Sequence, residues 1–145
     1  MIGVRFETVT ESTLEAWRRV HNEIIPVSPL STDEVRERMG RNRLQVAWVG
    51  DVLVGCSTVR PPLADARTAT VIVRVLPPHR RQGIGSQFYE RELAAARDLG
   101  AEVIMTVVLE SNTDGLHFAL SRGFVEVDRY VLDGDDVGYV ELRLV

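Results

Sequence analysis

Hydrophobic positions along the chain alternate between a period of two and the helical period of 3.6, and each switch marks a predicted element. Val4–Val9 alternates apolar and polar residues, which predicts a strand on a sheet with one covered face. Thr10–Ser12 offers helix caps, and Leu14, Trp17, Val20 or His21, and Ile24 then recur at helical spacing until Pro26 stops the run. His21 beside that stripe reads as a partly buried structural histidine, with contact to a substrate as the alternative. Pro26–Leu30 is a loop, and Ser31-Thr32-Asp33-Glu34 opens a second helix that runs to about Met39, with acids in its first turn. Leu44–Val49 and Val52–Val59 form two strands joined at Gly50-Asp51. Pro61-Pro62 closes the pair, and Leu63–Ala69 reads as a linker with Asp65 and Arg67 in solvent.

Val71–Leu76 is a β-branched run broken only by Arg74, as in a strand covered on both faces. Pro77 and Pro78 have no N–H to give to a ladder, so sheet pairing lapses here and a gap opens at the strand's end. Arg80-Arg81-Gln82-Gly83-Ile84-Gly85-Ser86 then leads into a helix whose apolar side carries Ile84, Phe88, Leu93, Ala94 or Ala95, and Leu99, with Gly100 suited to its C-terminus. From Arg81 to Ser86 every residue keeps a backbone N–H, assigned here to the first helical turn, where such groups lack intrahelical partners and the helix dipole is positive. Gly83 and Gly85 let a ligand approach the backbone, while Arg80 and Arg81 add charge, unless they are merely solvated cations. The stretch is an anion cradle suited to a phosphate or pyrophosphate.

Two familiar glycine loops fail against it. A dinucleotide fingerprint would need glycine at Phe88, and a P-loop would need Gly-Lys-Ser/Thr. The remaining pattern is RxxGxG, from Arg80 to Gly85, preceded by VxP at Val75 and Pro77. Downstream, Val103–Leu109 is a second apolar strand, Asn112 follows it, a short helix covers about Thr113–Ser121, and Arg122-Gly123-Phe124 leads into a further strand. Val125–Leu132 and Tyr139–Leu144 look like a hairpin around Asp133-Gly134-Asp135-Asp136, an acidic turn that is either simply solvated or attracts a cationic amine.

RxxGxG resembles the coenzyme-A-binding motif of the GNAT superfamily of N-acetyltransferases. In that pattern an asparagine after the fifth strand is followed eleven positions later by the glycine of a Gly-Phe pair, a spacing that Asn112 and Gly123-Phe124 keep. The likeness covers about Val71–Phe124, and the N-terminal half resembles the family only in its order of elements. The resemblance implies an α/β (α+β) fold with a mixed, mostly antiparallel sheet of six to seven strands, splayed between strands four and five and flanked by about four helices. It implies acetyl-CoA as co-substrate, with the pyrophosphate on the amides of Arg81, Gln82, Gly83, Ile84, Gly85 and Ser86 and with Arg80 adding charge. The pantetheine arm would lie along Val73 and Val75, with Asn112 nearby. As a helix cap, Asn112 needs no ligand to explain it, and the two roles are compatible. Val27–Leu30 would border the acceptor.

The implied reaction is direct attack of a small-molecule or peptide amine on the thioester. The tyrosine that commonly protonates the leaving thiolate in this family falls at Ala119, which can donate nothing. Ser121, Tyr130 and Tyr139 are the substitutes within reach, and Glu110 is the local candidate base, its alternative being a surface acid near a helix start. Glu110 and Tyr130 are therefore the catalytic candidates, and a coenzyme-A-binding module without efficient transfer is the alternative function. A nucleotide-binding protein using the same cradle is a third possibility.

Length and composition bound the rest. With 145 residues and 45% hydrophobic content, the chain makes one domain with a real core, and its net charge of −4 argues against nucleic acid as a main partner. A single cysteine, Cys56, excludes an internal disulfide, and scattered histidines give no metal-ligand spacing. No signal peptide, lipidation motif or long apolar run is seen, so the expectation is a cytoplasmic protein without membrane contact. Pairing into a homodimer is common for proteins of this kind.

Overall fold

The computed structural model describes residues 3–63 and 66–145. Seven strands and four α-helices follow in the order β1 (Arg5–Thr8), α1 (Leu14–Ile24), α2 (Thr32–Met39), β2 (Arg43–Val49), β3 (Val52–Arg60), β4 (Thr68–Val75), α3 (Ile84–Asp98), β5 (Val103–Leu109), α4 (Thr113–Ser121), β6 (Phe124–Tyr130) and β7 (Tyr139–Leu144). Pro77–His79 makes one 3-10 turn between β4 and α3.

Two boundaries differ from expectation in ways that matter. Thr68 and Ala69 belong to β4 rather than to a linker, because Ala69 is fully buried in the core and Thr68–Thr70 pair with β5. Helix α3 starts at Ile84, so Arg81, Gln82 and Gly83 precede the helix instead of lying in its first turn. Arg67 pairs with Glu102 at 2.6 Å while remaining exposed, and Asp65 lies outside the described residues.

The strands form one sheet in the order β1-β2-β3-β4-β5-β7-β6. Every neighbouring pair is antiparallel except β4 and β5. That parallel pair is brief: Thr68, Ala69 and Thr70 face Val103, Ile104 and Met105, and beyond them the strands part. On its other side β4 stays zipped to β3 from Gly55↔Val75 to Arg60↔Thr70. The N–H of Leu76 donates to the Val54 carbonyl at 2.8 Å, so antiparallel alternation turns the backbone groups of Val75, Val73 and Val71 away from β3, toward the gap.

Helices cover both faces. Helix α1 packs Leu14, Trp17 and Val20 with Val35 of α2 on Leu44, Val46 and Cys56, and the Trp17 indole N–H donates to the Ser57 carbonyl at 2.9 Å. On the opposite face α3 and α4 enclose Val71, Tyr89, Leu93, Ile104, Ala119, Phe124 and Leu142, while Ile84 and Phe88 pack on Ala47 and Val54. These apolar faces are what the helical-period stripes in the sequence bury. Among the described residues no helix is long and apolar enough to cross a membrane.

Candidate functional site

Where β4 and β5 separate, a cavity of about 330 Å³ opens, bounded by Val71–Val75 on one side and Thr106–Leu109 on the other. Arg80, Arg81, Gly83, Gly85, Ser86 and Asn112 also line it. Of the ten residues expected to hold a coenzyme, eight therefore reach this space, counting Val73 and Val75. Gln82 and Ile84 do not: Gln82 is exposed, and Ile84, 1% exposed, packs its side chain into the core. Either can contribute through its backbone only.

The cradle gets its shape from two left-handed residues. Arg81 has φ 63 and Gly83 has φ 80, a left-handed turn of the kind that forms anion-binding concavities, set just before the helix begins. A Cβ on Gly83 would meet nothing within 4 Å, so glycine is required there for conformation and not for space. No side chain caps α3, and its first helical hydrogen bond runs from Gln87 to Gly83 at 3.1 Å, which leaves the amides of Ile84, Gly85 and Ser86 without i−4 partners. Helix α2 contrasts with this, being closed by a Ser31–Glu34 capping box.

Arg80 is held at two points. Its Nε donates to the Val75 carbonyl at 2.9 Å, and its Nη1 lies 3.1 Å from Asp114 Oδ2. Asn112 caps α4 by accepting the Gly115 N–H at 3.0 Å, and a Cβ on Gly115 would come within 2.7 Å of Asn112 Nδ2. The capping role of Asn112 is thus realised, and glycine three residues on is what makes room for it.

Sequence reasoning missed Tyr89. Its hydroxyl is buried without a hydrogen-bond partner, its side chain lines the cavity, and burial pushes its pKa up to about 12. Helical spacing had marked only its neighbour Phe88; an aromatic residue one place off the stripe was the available signal. Ala119 also lines the cavity, 4% exposed.

A second space, about 200 Å³, lies against the same gap and shares Ile25, Ile72, Arg74, Val107 and Leu109 with the first. His21, Ser28, Leu30, Tyr130 and Tyr139 complete much of its wall. His21 is 6% exposed, stacks on Trp17 at 5.2 Å and places Nδ1 2.9 Å from Asn22 Oδ1, while burial and the nearby Arg74 lower its pKa to about 3. The structural histidine is present, and it also faces the cavity. Of Val27–Leu30, Ser28 and Leu30 line this space. The Tyr139 hydroxyl donates to Ser28 Oγ at 2.9 Å, Ser28 Oγ donates to Asp135 Oδ2 at 3.3 Å, and Tyr130 stacks on Tyr139 at 5.7 Å. Burial raises the Tyr130 pKa above its ordinary value.

Glu110 lines neither cavity; its carboxylate lies 3.6 Å from Arg129 and would crowd any side chain at Gly138. Ser121 turns its hydroxyl onto the Phe118 carbonyl at 2.7 Å. His117 lines the larger space from the exposed side of α4, and His79 lines neither. Among the described residues no three His, Cys, Asp or Glu side chains are grouped to hold a metal.

Comparison with known proteins adds a family. A model described as the Acetyltransferase (GNAT) family matches residues 7–124. A solved structure assigned provisionally as a phosphinothricin N-acetyltransferase superposes with a TM-score of 0.81 at 19% identity, over 98% of each chain. The yncA protein of Salmonella typhimurium, solved with its cofactor acetyl-CoA, gives 0.76 at 18% identity over 97% of this chain and 92% of that one. The ribosomal-protein-S18-alanine N-acetyltransferase of Escherichia coli gives 0.77 at 18% identity over 98% and 93%. At these identities the likeness is one of fold. No curated protein matches significantly.

Proposed function

Because the chain belongs to the GNAT acetyltransferase family, we propose that it moves the acetyl group of acetyl-CoA to a primary amine by direct attack in a ternary complex. The observation that carries this reading is the parting of β4 and β5 after three paired positions, which sets two cavities on a shared wall. One suits a coenzyme and the other an acceptor.

The residues of the larger cavity fit acetyl-CoA on their own chemistry. Uncapped amides from Arg81 to Ser86 suit a diphosphate. The outward backbone groups of Val73 and Val75 suit the amides of the pantetheine arm, with the Val75 N–H left over to steady the oxyanion. Its carbonyl is already taken by Arg80. When bound, acetyl-CoA supplies an activated thioester, so no covalent enzyme intermediate is required.

The chain must then handle two protons. An amine with a reference pKa of about 10.4 is neutral in roughly one molecule in a thousand or fewer at pH 7, a cost of about 4 to 5 kcal/mol. Tyr139, Ser28 and Asp135 form a hydrogen-bonded line from the smaller cavity to a carboxylate, a route by which the amine's proton leaves. Tyr130, beside Tyr139 and kept protonated by burial, is the hydroxyl assigned to the departing thiolate in place of Ala119. Glu110 takes no step, being held beside Arg129.

A thiol-release assay with acetyl-CoA and a panel of small and peptide amines tests the proposal; the expected result is saturable turnover on some of them. Saturable acetyl-CoA binding with no turnover on any amine would identify instead the coenzyme-binding module that Ala119 favours. Preference for ATP or NAD over coenzyme A in competition calorimetry would remove both readings.

A further inference from the structure

The smaller cavity is cationic. Arg38 from α2, Arg60 from the end of β3 and Arg74 from β4 all line it, and no Asp or Glu does. Among the described residues no carboxylate lies within 4.0 Å of any of the three guanidinium groups, although nine other arginines in the chain are ion-paired at that distance. Arg74 is 7% exposed, and its Nε is buried with no hydrogen-bond partner. Its Nη1 meets only neutral groups, Thr58 Oγ1 at 3.2 Å and Cys56 Sγ at 3.7 Å, and its guanidinium lies 5.5 Å over the Trp17 ring. Partial burial, then Arg74 and Arg38, lower the pKa of Arg60, so both neighbouring cations are felt at its guanidinium. His21 on the same wall stays neutral and offers no counter-charge.

Burying the Arg74 charge without an anion is unfavourable, and chains keep such a group where a ligand supplies the missing charge; half-buried Arg38 and exposed Arg60 extend its field to the mouth of the cavity. From this geometry we propose that the acceptor amine carries an anionic group, a carboxylate or phosphonate of an amino-acid-like molecule, which is held by Arg38, Arg60 and Arg74. This rests on the acetyl-transfer reading above. Planar guanidinium forks match carboxylate and phosphonate oxygens in pairs. A space of about 200 Å³ is small beside the roughly 300–1,000 Å³ of pockets for drug-sized ligands, which favours a free small molecule over a peptide segment. The same cations repel a polyamine. They also lower the pKa of an ammonium group held nearby, enlarging the neutral fraction that can attack.

The test is a set of matched acceptors: α-amino acids, their carboxamides, the corresponding aminophosphonates, peptides with a free N-terminus, and spermidine. Each is assayed by thiol release with wild-type protein and with Arg38→Gln and Arg60→Gln, which avoid the buried Arg74. The expected result is kcat/KM about ten- to a hundred-fold higher for the acids than for their carboxamides, a preference that shrinks mainly through KM of the acids in both variants. In parallel, binding of N-acetyl amino acids to the coenzyme-A complex is followed by calorimetry. Turnover that prefers carboxamides, peptides or spermidine overturns the anionic acceptor and leaves acetyl transfer standing. Arginine-dependent binding of N-acetyl amino acids with no turnover of any amine overturns acetyl transfer and leaves the anion site standing. Failure of both measurements removes both.

Discussion

Arg80 Nη1 and Asp114 Oδ2 lie 3.1 Å apart at the rim of the larger cavity, joining the loop after β4 to the first turn of α4. The cation best placed to meet a diphosphate is therefore partly neutralised before any ligand arrives, so the two residues should act in opposite directions. Arg80→Ala is expected to weaken coenzyme A binding by about 1 to 3 kcal/mol. Asp114→Asn should tighten it by less than about tenfold, with the gain shrinking as salt is added. Calorimetry at two ionic strengths checks both, and a weakened Asp114→Asn complex would mean that the carboxylate's main service is to orient Arg80.

Gly83 and Gly85 should separate stability from binding. Gly83→Ala places a Cβ in a left-handed conformation at φ 80 and is expected to destabilise the protein by about 1 kcal/mol while disturbing the cradle. At Gly85 an added Cβ would sit 3.5 Å from Phe118, ordinary contact, so Gly85→Ala should keep the wild-type Tm and yet lose coenzyme affinity by narrowing the cavity. Thermal melts beside binding isotherms distinguish the two.

Tyr89→Phe is predicted to do two things at once. Removing a buried hydroxyl that has no partner should leave the ligand-free protein as stable or about 1 kcal/mol more stable. The same change should weaken coenzyme A binding, since Tyr89 lines the cavity and its phenol is the protonated group there that has no partner within the chain. Equal coenzyme affinity in the two proteins would assign Tyr89 to packing alone.

Proton handling predicts a signature in pH–rate profiles. Ser28→Ala and Asp135→Asn break the line from Tyr139 and should lower kcat at neutral pH, with recovery as pH rises and the free amine becomes deprotonated. Tyr130→Phe should lower kcat without that recovery. A uniform loss across pH in the first pair would place their role in shaping the cavity.

His21 makes stability depend on pH. Its pKa falls from an ordinary 6.5 to about 3 in the fold, so between these values the unfolded chain binds the extra proton. The stabilising contribution of the neutral ring is present in full above about pH 6.5 and is lost as pH falls toward 3, at up to about 1.4 kcal/mol per pH unit. Denaturant unfolding from pH 7 to 4 should show this slope, and His21→Gln should flatten it.

Much of this was readable from the chain because it rests on neighbours in sequence. Pro77-Pro78 ending a β-branched run, two glycines at a helix start, and Asn112 just before a short helix are local patterns, and the end of the strand, the turn before α3 and the cap of α4 follow from them. Arg74 stood out as the single charge in that run, but its meaning depends on Arg38 and Arg60, which arrive from α2 and β3. Only the pairing of β3 with β4 and the packing of α2 beside them bring the three together. Glu110 shows the reverse: adjacency to the end of β5 suggested a base, but the side chain instead settles against Arg129 of β6. Tyr139 gained its carboxylate from across a loop, through a serine 111 positions away.

Only three residue pairs tie β4 to β5, so the sheet carries a seam along its middle that the polypeptide itself leaves unstitched. A coenzyme arm laid along Val71–Val75 would serve as the absent thread, contributing main-chain bonds that the fold otherwise lacks. Ligand at a hundred times its Kd would add about 2.7 kcal/mol to stability. Amide hydrogen exchange in β4 and the far half of β5 should slow on loading far more than elsewhere. The abundance of acetyl-CoA in a cell would then govern how firmly the two halves of this protein hold together, as well as how fast it works.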